Sequence, residues 1–327
     1  MEAGIRWNDK VKLIVSDVDE TVADVYREAA PEMITELSNL LQENKAIFFI
    51  TGASLVRVRQ RIIDKIPPSL RKKILIAHCS GAEVWGFDQN GLLNEKPFFS
   101  TYEETFSPEQ KTKWRVIVKQ LITEFQFHPH EAGPVKEFKT TYCQPLDIML
   151  EDRGPQITLE LVNAYNLPED EANKIATQLE IAFPRTETDS IFDLRIPVMN
   201  RVKQLCDEAN LPVDPHLGGI FALDMTVKDV SKTSAIKYVM ENDAILSALG
   251  FSKDQLNDPE TIEIWGDKFT AKKGGLDLHM ALAFPKEVRS IDFRDEPSEE
   301  LPRDYNIQLW PGKHKLYDGL LEYLQSR

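Results

Sequence analysis

Two aspartates, Asp17 and Asp19, close an apolar run in the stretch KLIVSDVDET, Lys12 to Thr21. Acidic residues are poor strand formers, and like charges this close repel. The pair makes sense where its charge is used. A carboxylate is a competent nucleophile towards phosphorus and can form an aspartyl-phosphate. A second carboxylate beside it can give a proton to a leaving group and then take one from water. Crowded carboxylates also become favourable around a hard cation such as Mg²⁺. Further polar residues of the right types stand far away in sequence. Thr51 and Gly52 end the apolar run KAIFFITG, Lys232 opens the helical pattern KTSAIKYVMEN, and Asp267 ends TIEIWGD, with Asp277 beyond it. A hydroxyl and an ammonium can hold phosphoryl oxygens where negative charge must be stabilised.

The elements that would position these residues follow from the pattern. VKLIVSDV, KAIFFITGAS and KKILIAHCSGAEVWGF are short apolar runs of the kind that form buried strands. Between them, APEMITELSNLLQEN and SLVRVRQRIIDKI carry apolar residues at helical spacing, the second stopped by Pro67-Pro68. Alternating strands and helices predict an open α/β fold, a Rossmann-like, mostly parallel sheet. Sites in such sheets lie at the carboxyl ends of the strands. Asp17, Asp19, Thr51, Gly52 and Asp267 all take that position, and Lys232 begins a helix. The pattern changes after Gly81. EVWGFDQNGLL reads as a hairpin turning at Asn90-Gly91. Helices follow at PEQKTKWRVIVKQLITEF and EDEANKIATQLEIAF, with strands at QITLELVNAY, IFDLRI and GIFALDMT. The α/β character returns with KTSAIKYVMEN, TIEIWGD, GLDLHMALAF, EVRSIDF and YDGLLEYLQS. A core of residues 1–82 and 222–327 is thus expected to be interrupted by an inserted α+β module over 83–221.

At these residues the chain resembles the haloacid dehalogenase superfamily. DVDET is similar to its first motif, Asp-x-Asp-x-Thr; FFITGAS to the second; VSKTSAI to the third-motif lysine; and IEIWGDKFTAKKGGLD to the acidic fourth. The order fits along nearly the whole chain, and an insertion between Thr51 and Lys232 is similar to the C2-capped branch, with its sugar phosphatases and phosphomannomutases. The resemblance implies Asp17 as nucleophile and Asp19 as general acid/base. It implies Thr51 and Gly52 at the phosphoryl group and Lys232 neutralising charge. It implies Mg²⁺ held by Asp17, the Asp19 carbonyl, Asp267 and Asp277. Two departures stand out: Glu20 occupies a turn position where the family usually has Gly, and Leu276 replaces an Asn before Asp277. Asp277 reads equally as a helix-start cap.

The leading expectation is a Mg²⁺-dependent phosphomonoester hydrolase acting on a small phosphorylated metabolite, a sugar phosphate first. The alternatives are a phosphomannomutase-like phosphotransferase and a non-catalytic binding protein that keeps the fold. Composition bounds the partners. The 327 residues carry a net charge of −14 and a pI near 5.0, a field that repels nucleic acid and anionic membranes. Cys79, Cys143 and Cys206 are scattered and odd in number, which fits a reducing compartment. No apolar run has the roughly 18 residues of a membrane span, so a cytoplasmic protein is expected. His128 and His130 in FHPHEAG read as a polar loop, His78-Cys79 as a strand end, and FRDEPSEELPRD as a solvated loop. Trp85, Phe87, Phe98 and Phe99 are assigned to the core. Arg153, Arg185 and Arg195 are candidate substrate-binding cations of the inserted module, with nothing to select among them.

Overall fold

The computed structural model describes residues 5–165, 167–181, 193–218, 220–270, 277–295 and 301–327. The chain divides into two compact units, Met1–Ser100 with Val230–Arg327, and Thr101–Asp229. In chain order the strands are β1 (Leu13–Ser16), β2 (Ala46–Ile50), β3 (Ile74–His78), β4 (Glu83–Trp85), β5 (Phe99–Ser100), β6 (His128–Glu131), β7 (Asp147–Asp152), β8 (Gln156–Glu160), β9 (Val213–Gly218), β10 (Ala222–Val227), β11 (Ile262–Gly266), β12 (Arg289–Asp292) and β13 (Ile307–Leu309).

The first unit holds a sheet in the order β13-β12-β11-β1-β2-β3-β4-β5. Its pairs are parallel from β13 to β3, and β4 and β5 add antiparallel at one edge. The central strands are apolar on both faces because helices cover both. Alternation sends Ile14, Ile47, Phe49, Ile74, Ile76 and Trp265 to one cluster, with Met33, Leu37, Leu40, Leu41 and Tyr323 from the helices Pro31–Gln42 and Leu316–Gln325. It sends Leu13, Val15, Phe48, Ile50, Leu75 and Ile264 to the other, with Ala235, Ile236, Val239, Leu246 and Leu249 from Lys232–Glu241 and Asp243–Leu249. Each such leucine or isoleucine contributes about 1.5–3 kcal/mol by leaving water. A polar pocket lies inside this apolar frame. Glu263, fully buried on β11, accepts from the Tyr323 hydroxyl (2.9 Å), the Trp265 indole (2.7 Å) and Arg289 Nε (2.8 Å). The hairpin forms as the pattern predicts: Phe87 bridges Leu93, and the Asp88 carboxylate accepts from the backbone of Asn90 and Leu92.

The second unit holds a sheet in the order β6-β7-β8-β10-β9, antiparallel except for β6 with β7. The helices Pro108–Glu124 and Arg195–Glu208 pack together, burying Trp114, Ile117, Val118 and Leu121 from one and Val198, Val202 and Leu205 from the other.

Three readings of the sequence change. IFDLRI is not a strand where described: the helix begins at Arg195, whose guanidinium turns back onto Asp193 at 2.6 Å. FHPHEAG contains strand β6, and both its histidines face one carboxylate oxygen of Asp147, at 3.3 Å from His128 and 3.1 Å from His130. FRDEPSEELPRD is not solvated at its start, since Phe293 and Arg294 are buried and Arg294 Nε donates to Asp292 at 2.7 Å. Phe87 is core, while Trp85, Phe98 and Phe99 are partly buried. Among the described residues no helix is long and apolar enough to cross a membrane.

Candidate active site

The carboxyl ends of β1, β2 and β11 bring the acidic residues together. Asp17 directly follows β1 and Asp267 directly follows β11, and these strands are neighbours in register. The chain reaches Asp277 through residues outside the described set, but Asp277 itself is buried beside them. One carboxylate oxygen from each of Asp17, Asp267 and Asp277 lies within 4.8 Å of the others. Gly266 permits this approach: a Cβ there would stand 2.7 Å from the Asp277 carboxylate.

Lys232 lies between two of the three. Its ammonium donates to Asp17 at 2.6 Å and to Asp277 at 2.7 Å, in a site where all three side chains are buried. The helix that carries it is fixed at its start by a reciprocal pair: Ser231 accepts from the Ser234 backbone and Ser234 from the Ser231 backbone. Gly81, with φ of +102°, lets that start come close, since a Cβ there would meet the Ser231 carbonyl at 2.7 Å. The other oxygen of Asp277 accepts from the backbone N–H groups of Asp267 (3.0 Å) and Lys268 (2.9 Å). Asp277 precedes the helix Leu278–Ala281 but makes no side-chain cap bond to it, so the cap reading gives way. Asp267 has looser company: the Thr21 hydroxyl at 3.4 Å and the Lys268 ammonium at 3.4 Å.

Asp19 points elsewhere. One oxygen takes the Arg61 guanidinium at 2.6 Å and the other the Thr51 hydroxyl at 3.3 Å, and its side chain is 29% exposed. The Thr51 oxygen also accepts from the Ala53 backbone at 3.0 Å, and Gly52 follows, half-buried. Glu20, between Asp19 and Thr21, adopts φ of +62°, a conformation that favours glycine.

The charges do not balance comfortably. Burial pushes the Asp17 carboxyl up to about 7, against the pull of Lys232, and the charges of Asp277 and Asp19 add to the rise. Burial and the charge of Asp277 push Asp267 up to about 8. Asp277 goes the other way: against its burial, Lys232 and two backbone N–H donors hold it below the ordinary carboxylate range. Burial opposes the Lys232 charge, but Asp17 and Asp277 hold its pKa above the usual value. Three hard oxygen donors in a buried pocket, two of them resisting ionisation, form a donor set that suits Mg²⁺ or a similar hard cation.

The residues singled out in the sequence therefore form two adjoining groups. Asp17, Lys232, Asp267 and Asp277 are joined by contacts, and Asp19 with Thr51 makes a second set. Arg61 escaped notice. The signal was its place at i+3 from Val58 on the buried stripe of RVRQR, where it also donates to the carbonyls of Arg27 and Asp24, each at 2.7 Å. The cations of the second unit are committed locally, Arg153 to Glu151 and Arg195 to Asp193. Arg185 and Leu276 lie outside the described residues. His78 is hydrogen-bonded to Glu83 at 2.9 Å, as befits a buried strand end.

No model of a known protein family matches the sequence, and no curated protein matches it. The fold recurs among solved structures. The Thermotoga maritima protein TM0651 is similar with a TM-score of 0.53 and 13% identity, over 97% of this chain and 97% of that one. A crystal structure from Eubacterium rectale gives 0.51 and 12%, over 97% and 99%. A trehalose-6-phosphate phosphatase related protein gives 0.50 and 12%, over 96% and 96%. Identities this low speak for fold alone. That fold is an α/β core built on a mostly parallel sheet, with a second, mixed α/β unit inserted in the chain, as the alternation of strands and helices predicted.

Proposed function

We propose that the chain is a Mg²⁺-dependent phosphomonoester hydrolase that works through an aspartyl-phosphate on Asp17, with a small phosphorylated metabolite as substrate and sugar phosphates as the first class to test. One observation carries this reading: the buried Asp17–Lys232–Asp277 contact, with Asp267 within 4.8 Å, at the strand ends where α/β sheets hold their chemistry. The fold shared with a trehalose-6-phosphate phosphatase related protein agrees with it.

In this reading Asp17 attacks phosphorus while the bond to the substrate oxygen breaks. Asp19, entering the step protonated, gives its proton to that leaving oxygen, and the carboxylate so formed, paired with Arg61, takes a proton from the water that hydrolyses the acyl phosphate. Thr51 and Lys232 bind the transferring oxygens, and Lys232 also favours the anionic form of Asp17 and aims it. Asp17, Asp267 and the Asp19 carbonyl would hold the cation directly. Asp277, with both oxygens engaged by Lys232 and backbone donors, would orient Lys232 and the β11 end. A bound divalent cation neutralises charge on the carboxylates and on the phosphoryl oxygens.

The test is a panel of sugar phosphates, nucleotides and an aryl phosphate assayed with Mg²⁺ for released phosphate, with chelator as control. Chelator-sensitive release from at least one ester is expected. Silence across the panel, aryl phosphate included, would favour a binding protein that keeps the fold. Transfer back to substrate in place of phosphate release would favour the phosphomutase.

A further inference from the structure

Lys12, Lys45 and Lys73 each stand immediately before a strand, β1, β2 and β3 in turn. Those strands are parallel neighbours: Leu13 pairs with Ala46, which sets Lys12 beside Lys45, and Ile47 pairs with Ile74, which sets Lys73 one residue further on, beside Ala46. Strands lie about 4.8 Å apart, so the row spans roughly 10 Å. Like charges abreast on adjacent strands, as Lys12 and Lys45 stand, are destabilising. This acidic chain has carboxylates to spare, yet the three ammoniums donate to neutral oxygens. Lys45 donates to the carbonyls of Val11 (2.8 Å) and Asp9 (3.4 Å), Lys73 to the Asn44 amide oxygen (3.0 Å), and Lys12 to the Gln255 carbonyl (3.4 Å). Lys45 is only 7% exposed, and its ammonium also lies 5.2 Å from the Trp7 ring centre. Burial lowers the pKa values of Lys45 and Lys73, at Lys45 against the charges of Glu43 and Asp9 and at Lys73 with the help of Lys72.

With Lys10 these lysines line a cleft of about 440 Å³, together with Gly250, Phe251 and Gln255. That volume is in the range of small-ligand sites, about 300–1,000 Å³. Asp9 and Glu43 also line it. Glu43 is already bound by Arg327 at 3.2 Å, and Lys10 by Glu260. The local balance is therefore positive in a chain of net charge −14. Lysines act as separate point charges, which suits the spread oxygens of phosphoryl groups better than the planar fork of a carboxylate. A row across three strands is also longer than a single phosphate.

We propose that this cleft binds a phosphoryl polyanion, a small molecule carrying a di- or triphosphate group, at a site separate from the carboxylate edge. Five residues of strand, at about 3.3 Å each, part Lys12 from Asp17, so one such ligand does not serve both ends. The assignment does not depend on the catalytic reading.

Calorimetric titration with inorganic tripolyphosphate tests it, in chelator so that no cation bridges the ligand to the carboxylates. The proteins are the wild type, Lys12→Gln/Lys73→Gln, and Lys268→Gln, which removes an exposed lysine at the carboxylate edge. The wild type should bind, Lys268→Gln should match it within about twofold, and the double variant should bind at least about tenfold more weakly. Added salt should weaken the wild type more than the double variant. Absence of wild-type binding, equal affinity in the double variant, or a loss confined to Lys268→Gln would overturn the proposal. Should the double variant fail to fold, Lys73→Ala alone must weaken binding several-fold, and unchanged affinity there would also overturn it.

Discussion

The two ends of the same strands handle like charge in opposite ways. Where β1 and β11 leave the sheet, Asp17, Asp267 and Asp277 crowd together, and the chain supplies its own counter-charge in Lys232, with Arg61 doing the same for Asp19. Where β1, β2 and β3 enter, Lys12, Lys45 and Lys73 gather with carbonyls and an amide for company. A charged row with built-in partners is preorganised: each member is held in place, and removing one leaves the others buried and unmatched. A row without them is left for an ion from solution to complete.

The sharpest way to break this contrast is to remove the charge at the centre of the partnered end. Asp17→Asn should fold yet lose turnover by at least about 10⁴-fold, as removal of a nucleophile does; phosphate release by the folded variant above that level would end the aspartyl-phosphate route. Asp19→Asn should slow turnover by about 10²–10⁴-fold. Its loss should shrink for aryl phosphates, whose leaving groups need little protonation, and rates measured across a series of leaving groups check this. Next comes the division of labour between Asp267 and Asp277. The two Asp267 oxygens have only long contacts, Thr21 and Lys268 at 3.4 Å each, whereas both Asp277 oxygens are held at 3.0 Å or less. Asp267→Ala should raise the Mg²⁺ needed for half-maximal activity at least about tenfold, and Asp277→Ala much less; a Mg²⁺ titration showing the reverse order would exchange their roles.

A subtler consequence concerns pH. Asp17 is pushed up to about 7 and Asp267 to about 8, well above their values in the unfolded chain. In chelator the folded state therefore holds protons that the unfolded state has released, and stability from this pair is lost as pH rises from about 4 towards 8. Mg²⁺ competes with those protons, so the rise in Tm that it gives should be larger at pH 8 than at pH 5. An equal rise at both, measured by thermal melts, would mean that the pair does not titrate with the cation. The smallest effect belongs to Glu20. Its φ of +62° is strained for a residue with a side chain, and Glu20→Gly should stabilise by about 1 kcal/mol, about one to two degrees in Tm. A fall in Tm would show that the side chain holds the turn.

What could be read in advance follows from the same physics. Strands buried on both faces announce themselves as apolar runs, so β1, β2, β3 and β11 were legible, and with them the positions of Asp17, Thr51 and Asp267 at one edge. Strands β6 and β9 were not, because HPHE and VDPHLG are polar and carry Pro129 and Pro215. Both are edge strands, where a missing N–H is tolerated. Asp277 stayed ambiguous because what decides it, the contact with Lys232 and the close approach to Gly266, is tertiary. Arg61 looked like one more charge on a surface helix. Only the carboxylate of Asp19 and two loop carbonyls make its burial sensible.

The central strand pairing also sets a schedule for synthesis. Thr21 and Asp267, which meet beside the β1–β11 pair, are 246 residues apart in the chain, with the whole second unit between them. At about 5–20 residues per second, β1 leaves the ribosome on the order of ten to fifty seconds before its partner exists. During that interval one edge of β1 is open, with β2 as its early neighbour. Non-local pairings of this kind form slowly and expose strand edges to other chains. The nascent first unit is therefore the stage at which this protein should most need a chaperone, and the carboxylate cluster is complete only once Asp277 has emerged.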